Sequence, residues 1–180
     1  GGLFTRYADA GSGIATTDMG AFERQPRPVL TVDSTDDVVN GNFSPGDRSL
    51  REILSLANAD IGFDTILFAG GTTGEIVLNP SLGPLTITDS VNIVGPGANS
   101  LSIRGAQSGA TRLFDVTSTV GNFLLSGLTL SGGDAGAESG GAIRFDSSGN
   151  MILKSIEITG NTAVNGAGIY ASGGNVSLAS

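Results

Sequence analysis

The chain offers few side chains capable of chemistry. Its 180 residues include no His and no Cys, which removes serine triads, imidazole bases, thiol nucleophiles and zinc–thiolate sites. Lys154 is the only lysine, and Tyr7 and Tyr170 are the only tyrosines. What remains is carboxylate, guanidinium, amine or phenol chemistry. The densest set of hard oxygen donors runs from Asp33 through Asp36, Asp37, Asn40 and Asn42 to Asp47, with Gly41 and Gly46 among them. Calcium takes roughly six to eight oxygens, and a glycine-containing loop can curl them around one ion. Asp33, Asp36, Asp37 and Asp47 are therefore the candidate ligands and calcium the candidate cofactor. The spacing is not that of an EF-hand loop, and the rival reading is a run of ordinary turns. A sparser second set lies between Asp9 and Asp18.

Charge and hydropathy bound the partners. Seventeen acidic residues against nine basic ones give a net charge of −8, which repels a phosphate backbone and argues against nucleic acid. No apolar run approaches the ~18 residues of a membrane-spanning helix. The chain opens Gly1-Gly2-Leu3-Phe4 without a recognisable leader and closes at Leu178-Ala179-Ser180 inside an apolar/polar alternation. It reads as a processed or excised piece of a longer polypeptide.

The elements that must position these groups fall into three regions. Residues 1–28 alternate apolar and polar from Leu3 to Tyr7 and end at Pro26-Arg27-Pro28. They read as the tail of a preceding unit, or an exchanged strand, followed by a proline linker. Residues 29–63 hold a strand at Val29–Val32, the acidic loop and one helix. Ser49-x-x-Glu52 after the turn Pro45-Gly46-Asp47 is a capping box. Leu50, Ile53, Leu54 and Ala57 then form one apolar stripe. That stripe leaves Arg51 and Glu52 exposed, with Glu52 completing the cap and Arg51 pairing with a nearby carboxylate. From 64 to 180 the hydrophobic period is two, in short β-branched runs separated by Gly, Asn, Asp and Ser.

The last third repeats itself. Leu125, Leu128 and Leu130 return as Leu153, Ile156 and Ile158 at an offset of 28. Ile143 returns as Ile169 at 26, and Met151–Leu153 return as Val176–Leu178 at 25. A strand-only repeat of about 25 residues holding three short strands is the pattern of a parallel β-helix. An immunoglobulin-like sandwich would give hairpins without an in-phase repeat. The expected fold is all-β: a right-handed parallel β-helix, or solenoid, with one short N-terminal capping α-helix. Residues 64–180 would make roughly four to five coils, with Leu, Ile and Val stacked inward and small Ser, Thr and Gly outward. Asn161 reads as a corner residue that satisfies backbone groups.

Asp47-Arg48-Ser49-Leu50-Arg51-Glu52-Ile53, followed by Ala57-Asn58 and Asp64–Phe68, resembles the "CSLREAI" opening segment of bacterial surface proteins with right-handed β-helix repeats. Asp18–Glu23 resembles the "DIGAFE" segment that closes such units. Gly140–Ile143 and Ile158-x-x-Asn161 are similar to the GGAI and FxxN repeats of polymorphic outer-membrane proteins, with Ile158 in place of Phe. Arg48 stands where the opening motif often has Cys. The resemblance implies a secreted or surface-displayed protein with an adhesive or structural role. It also implies that a closing segment precedes an opening one in this chain.

Carbohydrate lyases and polygalacturonases share the β-helix fold, and their sites gather carboxylates and a base or cation on one face of adjacent coils. Candidates here are Asp89, Asp115, Asp134, Glu138, Asp146 and Glu157, with Arg104, Arg112, Arg144 and Lys154. No adjacent Asp pair, Asn-Thr-Asp or Gly-His-Gly occurs among them, so they read as solvated charges. With no Trp and two Tyr, an aromatic sugar platform has little support. The function expected is a non-enzymatic extracellular structural or adhesive module on a bacterial cell surface, without catalytic residues and with polysaccharide as a candidate partner. The alternative is a polysaccharide-active β-helix enzyme or its binding fragment. A last coil lacking a cap would leave Val176 and Leu178 open to head-to-tail self-association, with Leu3, Phe4, Tyr7 and Phe22 of another copy supplying strands.

Overall fold

The computed structural model describes residues 30–107, 110–117 and 119–180. The segment 1–28, with Leu3, Phe4, Tyr7, Phe22 and the Asp9–Asp18 set, lies outside the described residues.

The chain is a β-solenoid of about four turns, each built from three short parallel strands. The first coil is β2 (Asp64–Phe68), β3 (Gly74–Val77) and β4 (Leu85–Ile87); the second is β5 (Val91–Val94), β6 (Leu101–Arg104) and β7 (Phe114–Val116). The third is β8 (Asn122–Ser126), β9 (Thr129–Ser131) and β10 (Ile143–Phe145); the fourth is β11 (Asn150–Lys154), β12 (Glu157–Thr159) and β13 (Ile169–Ala171). β14 (Asn175–Ala179) begins a fifth, and β1 (Leu30–Val32) lies ahead of the first. Stacking the coils produces three faces: β1-β2-β5-β8-β11-β14, β3-β6-β9-β12 and β4-β7-β10-β13, called here faces A, B and C.

The register carries the sequence repeat directly into space. Leu125 pairs with Leu153 and Leu130 with Ile158 at the offset of 28. Ile143 pairs with Ile169, and Met151 with Val176. Because side chains alternate along a strand, in-phase pairing puts like residues on top of one another. One interior row on face A runs Ile66, Ile93, Leu125, Leu153, Leu178. On face C, Leu85, Phe114, Ile143 and Ile169 make another. The Phe114 and Phe123 rings meet at 5.7 Å between centroids, tilted by 48°, an arrangement that aromatic quadrupoles favour.

Not all outward positions are small and polar. On face A, Leu67, Val94, Leu124 and Ile152 all occupy outward register positions, and Leu67 and Ile152 are exposed. The period-two rule identifies the outward set without fixing its polarity. Corners use backbone conformations as well as side chains. Gly127 turns the chain from β8 to β9 at φ +61°, and the equivalent corner of the fourth coil holds Ser155 at φ +50°.

The helix α1 (Leu50–Ala59) packs its stripe of Leu50, Ile53, Leu54 and Ala57 on β1, β2 and β4. It thereby closes one end of the solenoid core. Asn58 near its C-terminus donates to the Thr86 carbonyl at 2.8 Å and accepts from the Thr88 amide at 2.9 Å, which occupies part of the otherwise unpaired edge of β4.

Candidate functional site

The acidic loop and α1 form one polar assembly. Ser49 is the helix N-cap, and its Oγ accepts the Glu52 amide at 3.2 Å. Glu52 is only 3% exposed. Its Oε1 accepts the Asn40 and Gly41 amides, each at 2.8 Å, while Oε2 lies 3.0 Å from Ser49 Oγ. Burial pushes the Glu52 carboxyl up, but the Asn40, Gly41 and Ser49 donors outweigh it and leave it below its ordinary value. Arg51 is also mostly covered. It forks onto Asp37 at 2.6 and 2.8 Å and donates to the Gly83 and Pro84 carbonyls at 2.9 and 3.0 Å. The expectation that Arg51 and Glu52 are exposed is therefore corrected. The loop folds over the helix side opposite the apolar stripe, and a stripe argument cannot see that second covering.

Three of the four calcium candidates are engaged by the chain's own donors. Asp33 accepts from Arg48 Nε at 2.8 Å, from Arg48 Nη2, and from the Gly46 and Arg48 amides at 2.9 Å. The Arg48 guanidinium and the Gly46 amide hold its carboxyl at about 2. Asp37 is bound by Arg51 and by the Asn79 amide at 2.7 Å. Asp47 accepts from the side-chain amides of Asn40 and Asn42, and Asp36 is exposed. Among the described residues no group of three or more acidic side chains is disposed to hold a metal. The loop uses its carboxylates as partners for two arginines and as acceptors for its own turns.

The coils bring together charges that lie far apart in sequence. On the outer side of face C, Asp115 of β7 and Arg144 of β10 are register partners, and the guanidinium forks onto the carboxylate at 2.7 and 2.8 Å. This pairing raises the Arg144 pKa above its ordinary value. Beside them, Arg112 leaves the connection before β7 and reaches the Glu138 carboxylate at 2.8 Å, the Ser139 carbonyl at 2.7 Å and the Gly140 carbonyl at 2.9 Å. The Arg112 guanidinium holds the Glu138 carboxyl below its usual range. Asp134 completes the cluster and accepts the Gly136 amide at 2.8 Å. Five of the ten charged candidates thus surround one groove of about 580 Å³. The sequence did not show this, because Arg112, Asp134 and Arg144 meet only through coil stacking.

The other candidates have separate roles. Arg104 pairs with Glu75 across face B at 3.2 Å. Asp89 accepts the Gly62 and Ser90 amides at 2.7 Å, and Asp146 accepts the Ser172 hydroxyl at 2.6 Å. Asn161 donates to the Leu130 carbonyl at 3.0 Å and accepts the Gly133 amide at 2.8 Å. It ties the fourth coil to the third, as the corner reading expects. An asparagine ladder, Asn122–Asn150–Asn175 at 3.0 and 3.1 Å, joins three coils. The signal for it was the same pair of offsets, one residue ahead of the Met151 repeat.

At the far end, β14 pairs with β11 on one side only. Its inward-register residues Val176 and Leu178 are 43% and 69% exposed, whereas Leu125 in the same row as Leu178 is 1% exposed. No helix of the described residues is long and apolar enough to cross a membrane. Compared with known proteins, the chain matches no family model, no curated protein and no solved structure.

Proposed function

We propose that the chain is a non-enzymatic, extracellular β-helix module with a structural and adhesive role at a bacterial cell surface. The observation that carries this reading is the use made of the three arginines in the coil region. Arg104 pairs with Glu75, Arg112 with Glu138 and Arg144 with Asp115, and every pair joins one coil to the next. An exposed pair such as Arg104–Glu75 contributes only ~0.2–1 kcal/mol, but all three pairs act along the solenoid axis, as do Asn161 and the asparagine ladder. Side chains capable of chemistry are spent on lengthwise cohesion. The resemblance of Asp47–Ile53 to the opening segment of surface β-helix proteins supports the same reading.

The alternative, a polysaccharide-active enzyme, draws on the charges around the face C groove. A general acid there would need a carboxyl held above its ordinary value. Arg112 holds Glu138 in the opposite direction. The free edge of β14, with Val176 and Leu178 beside it, is the surface on which the solenoid is lengthened, by a further coil or by a second copy docked head-to-tail. A contact of the second kind does not close and would build a fibre.

The deciding experiment incubates the protein with neutral and acidic polysaccharides and measures reducing-end release. The module reading expects no release above buffer. Release that disappears in Asp115→Asn or Arg144→Gln would overturn it in favour of the enzyme.

A further inference from the structure

We propose that the groove on face C is a binding site for a neutral polysaccharide lying along the solenoid axis. This rests on the adhesive reading and gives it a location. A row of register neighbours on the outer side of face C runs through the groove, one per coil: Thr86, Asp115, Arg144 and Tyr170. Asp115 and Arg144 line the groove itself, and Thr86 and Tyr170 extend the row beyond it on either side. Such neighbours are spaced by about 4.8 Å, so the row forms a straight track for an extended polymer rather than a pit for a small molecule. Tyr170 is 36% exposed and supplies an apolar ring against which the C–H face of a sugar can lie. Its neighbour, the Asp115–Arg144 pair, presents acceptors and donors side by side. Arg144 engages Asp115 through Nε and Nη2, and Arg112 uses its own Nε and Nη2 on Gly140, Glu138 and Ser139. In both guanidiniums, Nη1 makes no hydrogen bond to the described residues and stays available as a donor.

A vicinal diol matches this arrangement. Each hydroxyl can donate to a carboxylate oxygen and accept from a guanidinium N–H, which a group that only accepts or only donates cannot do. A further polar group is unused: Thr111, which also lines the groove, is buried, and its hydroxyl has no partner among the described residues. Charge selects the class of polysaccharide. Three carboxylates face two guanidiniums around the groove, on a chain of net charge −8. A polyuronate would be repelled, and an uncharged polymer would not. One of the two tyrosines thus stands at the end of the charged row.

The test passes the whole 180-residue chain over immobilised cellohexaose, xylohexaose, mannohexaose and laminarihexaose, with polygalacturonate as the acidic comparison. At least one neutral oligosaccharide should be retained and polygalacturonate should not. Tyr170→Ala and Arg144→Gln should each weaken retention about tenfold, while Arg104→Gln on face B leaves it unchanged. Tyr170→Ala removes an exposed ring and breaks no ion pair, so it stays informative if Arg144→Gln lowers the melting temperature. Retention of none of the four, stronger retention on polygalacturonate, or unchanged retention in both groove variants would overturn the proposal. Reducing-end release in the same incubations would overturn the non-enzymatic reading alone. Unchanged retention in the variants without release would overturn the groove alone.

Discussion

Single residues show where the solenoid holds strain and where it holds charge. Ser155 is the one non-glycine among the described residues with positive φ, at the corner where the preceding coil has Gly127. A side chain in the left-handed region costs roughly 1–2 kcal/mol, and glycine returns about 0.5–1 kcal/mol of that through the freedom of the unfolded chain. Ser155→Gly should therefore stabilise by about 0.5–1 kcal/mol and raise the melting temperature by ~2 °C; a lower melting temperature would contradict the strain argument. Asp33 carries the charge prediction. Its carboxyl sits at about 2 when folded, against an ordinary 3.8. A depressed pKa contributes stability in full above the ordinary value and loses it as pH falls through the folded one. The loss should span pH 4 to 2. Denaturant titrations across that window should show a steeper fall for the native chain than for Asp33→Asn. At neutral pH, Asp33→Asn should be less stable by about 2 kcal/mol because the charged bonds to Arg48 and the two amides weaken.

At the scale of elements, α1 depends on the loop that covers it as much as on its own stripe. Glu52 satisfies two loop amides and meets the N-cap hydroxyl from a buried position. Glu52→Ala leaves those donors unpaired and should cost about 3 kcal/mol. Glu52→Gln retains a carbonyl acceptor and should cost less than half of that. Both are read by equilibrium unfolding, with limited proteolysis between residues 33 and 47 reporting loop release. Equal losses in the two variants would mean that charge, and not the acceptor geometry, holds the cap. The start of this helix was legible because Ser49-x-x-Glu52 is a local pattern whose cause lies within one turn. The burial of Arg51 and Glu52 was not. It depends on Asp37, Asn40 and Gly41 crossing back over the helix, a contact that no periodicity encodes. The carboxylates of the same loop show the complementary lesson. Composition reveals which oxygens are close in sequence, but Arg48 and Arg51 decide where Asp33 and Asp37 point.

For the whole molecule, the sequence repeat already contained the coil register: each offset read between Leu125 and Leu178 is an observed strand pairing. That transparency is physical, since in-phase stacking lets each coil bury the same inward residues as the one before. The face C groove was illegible for the converse reason, because Arg112, Asp134 and Glu138 join the Asp115–Arg144 register pair from connections of unequal length between strands. The same one-dimensional construction predicts a gradient of stability. Each coil contacts only its neighbours, so local opening is cheapest where a neighbour is lacking on one side. α1 covers the first coil, whereas β14 pairs on one side and its inward residues are exposed. Amide exchange at low protein concentration should be fastest in β14 and β13 and slowest in β5 and β8. Raising the concentration then separates two states of the free edge. If β14 slows selectively, copies dock head-to-tail through Val176 and Leu178, and Leu178→Asp should abolish the slowing and any associated light scattering. If β14 exchanges at the same rate at all concentrations, the edge takes up no second copy, and the assembling half of the proposed role fails while the face C groove still stands to be tested.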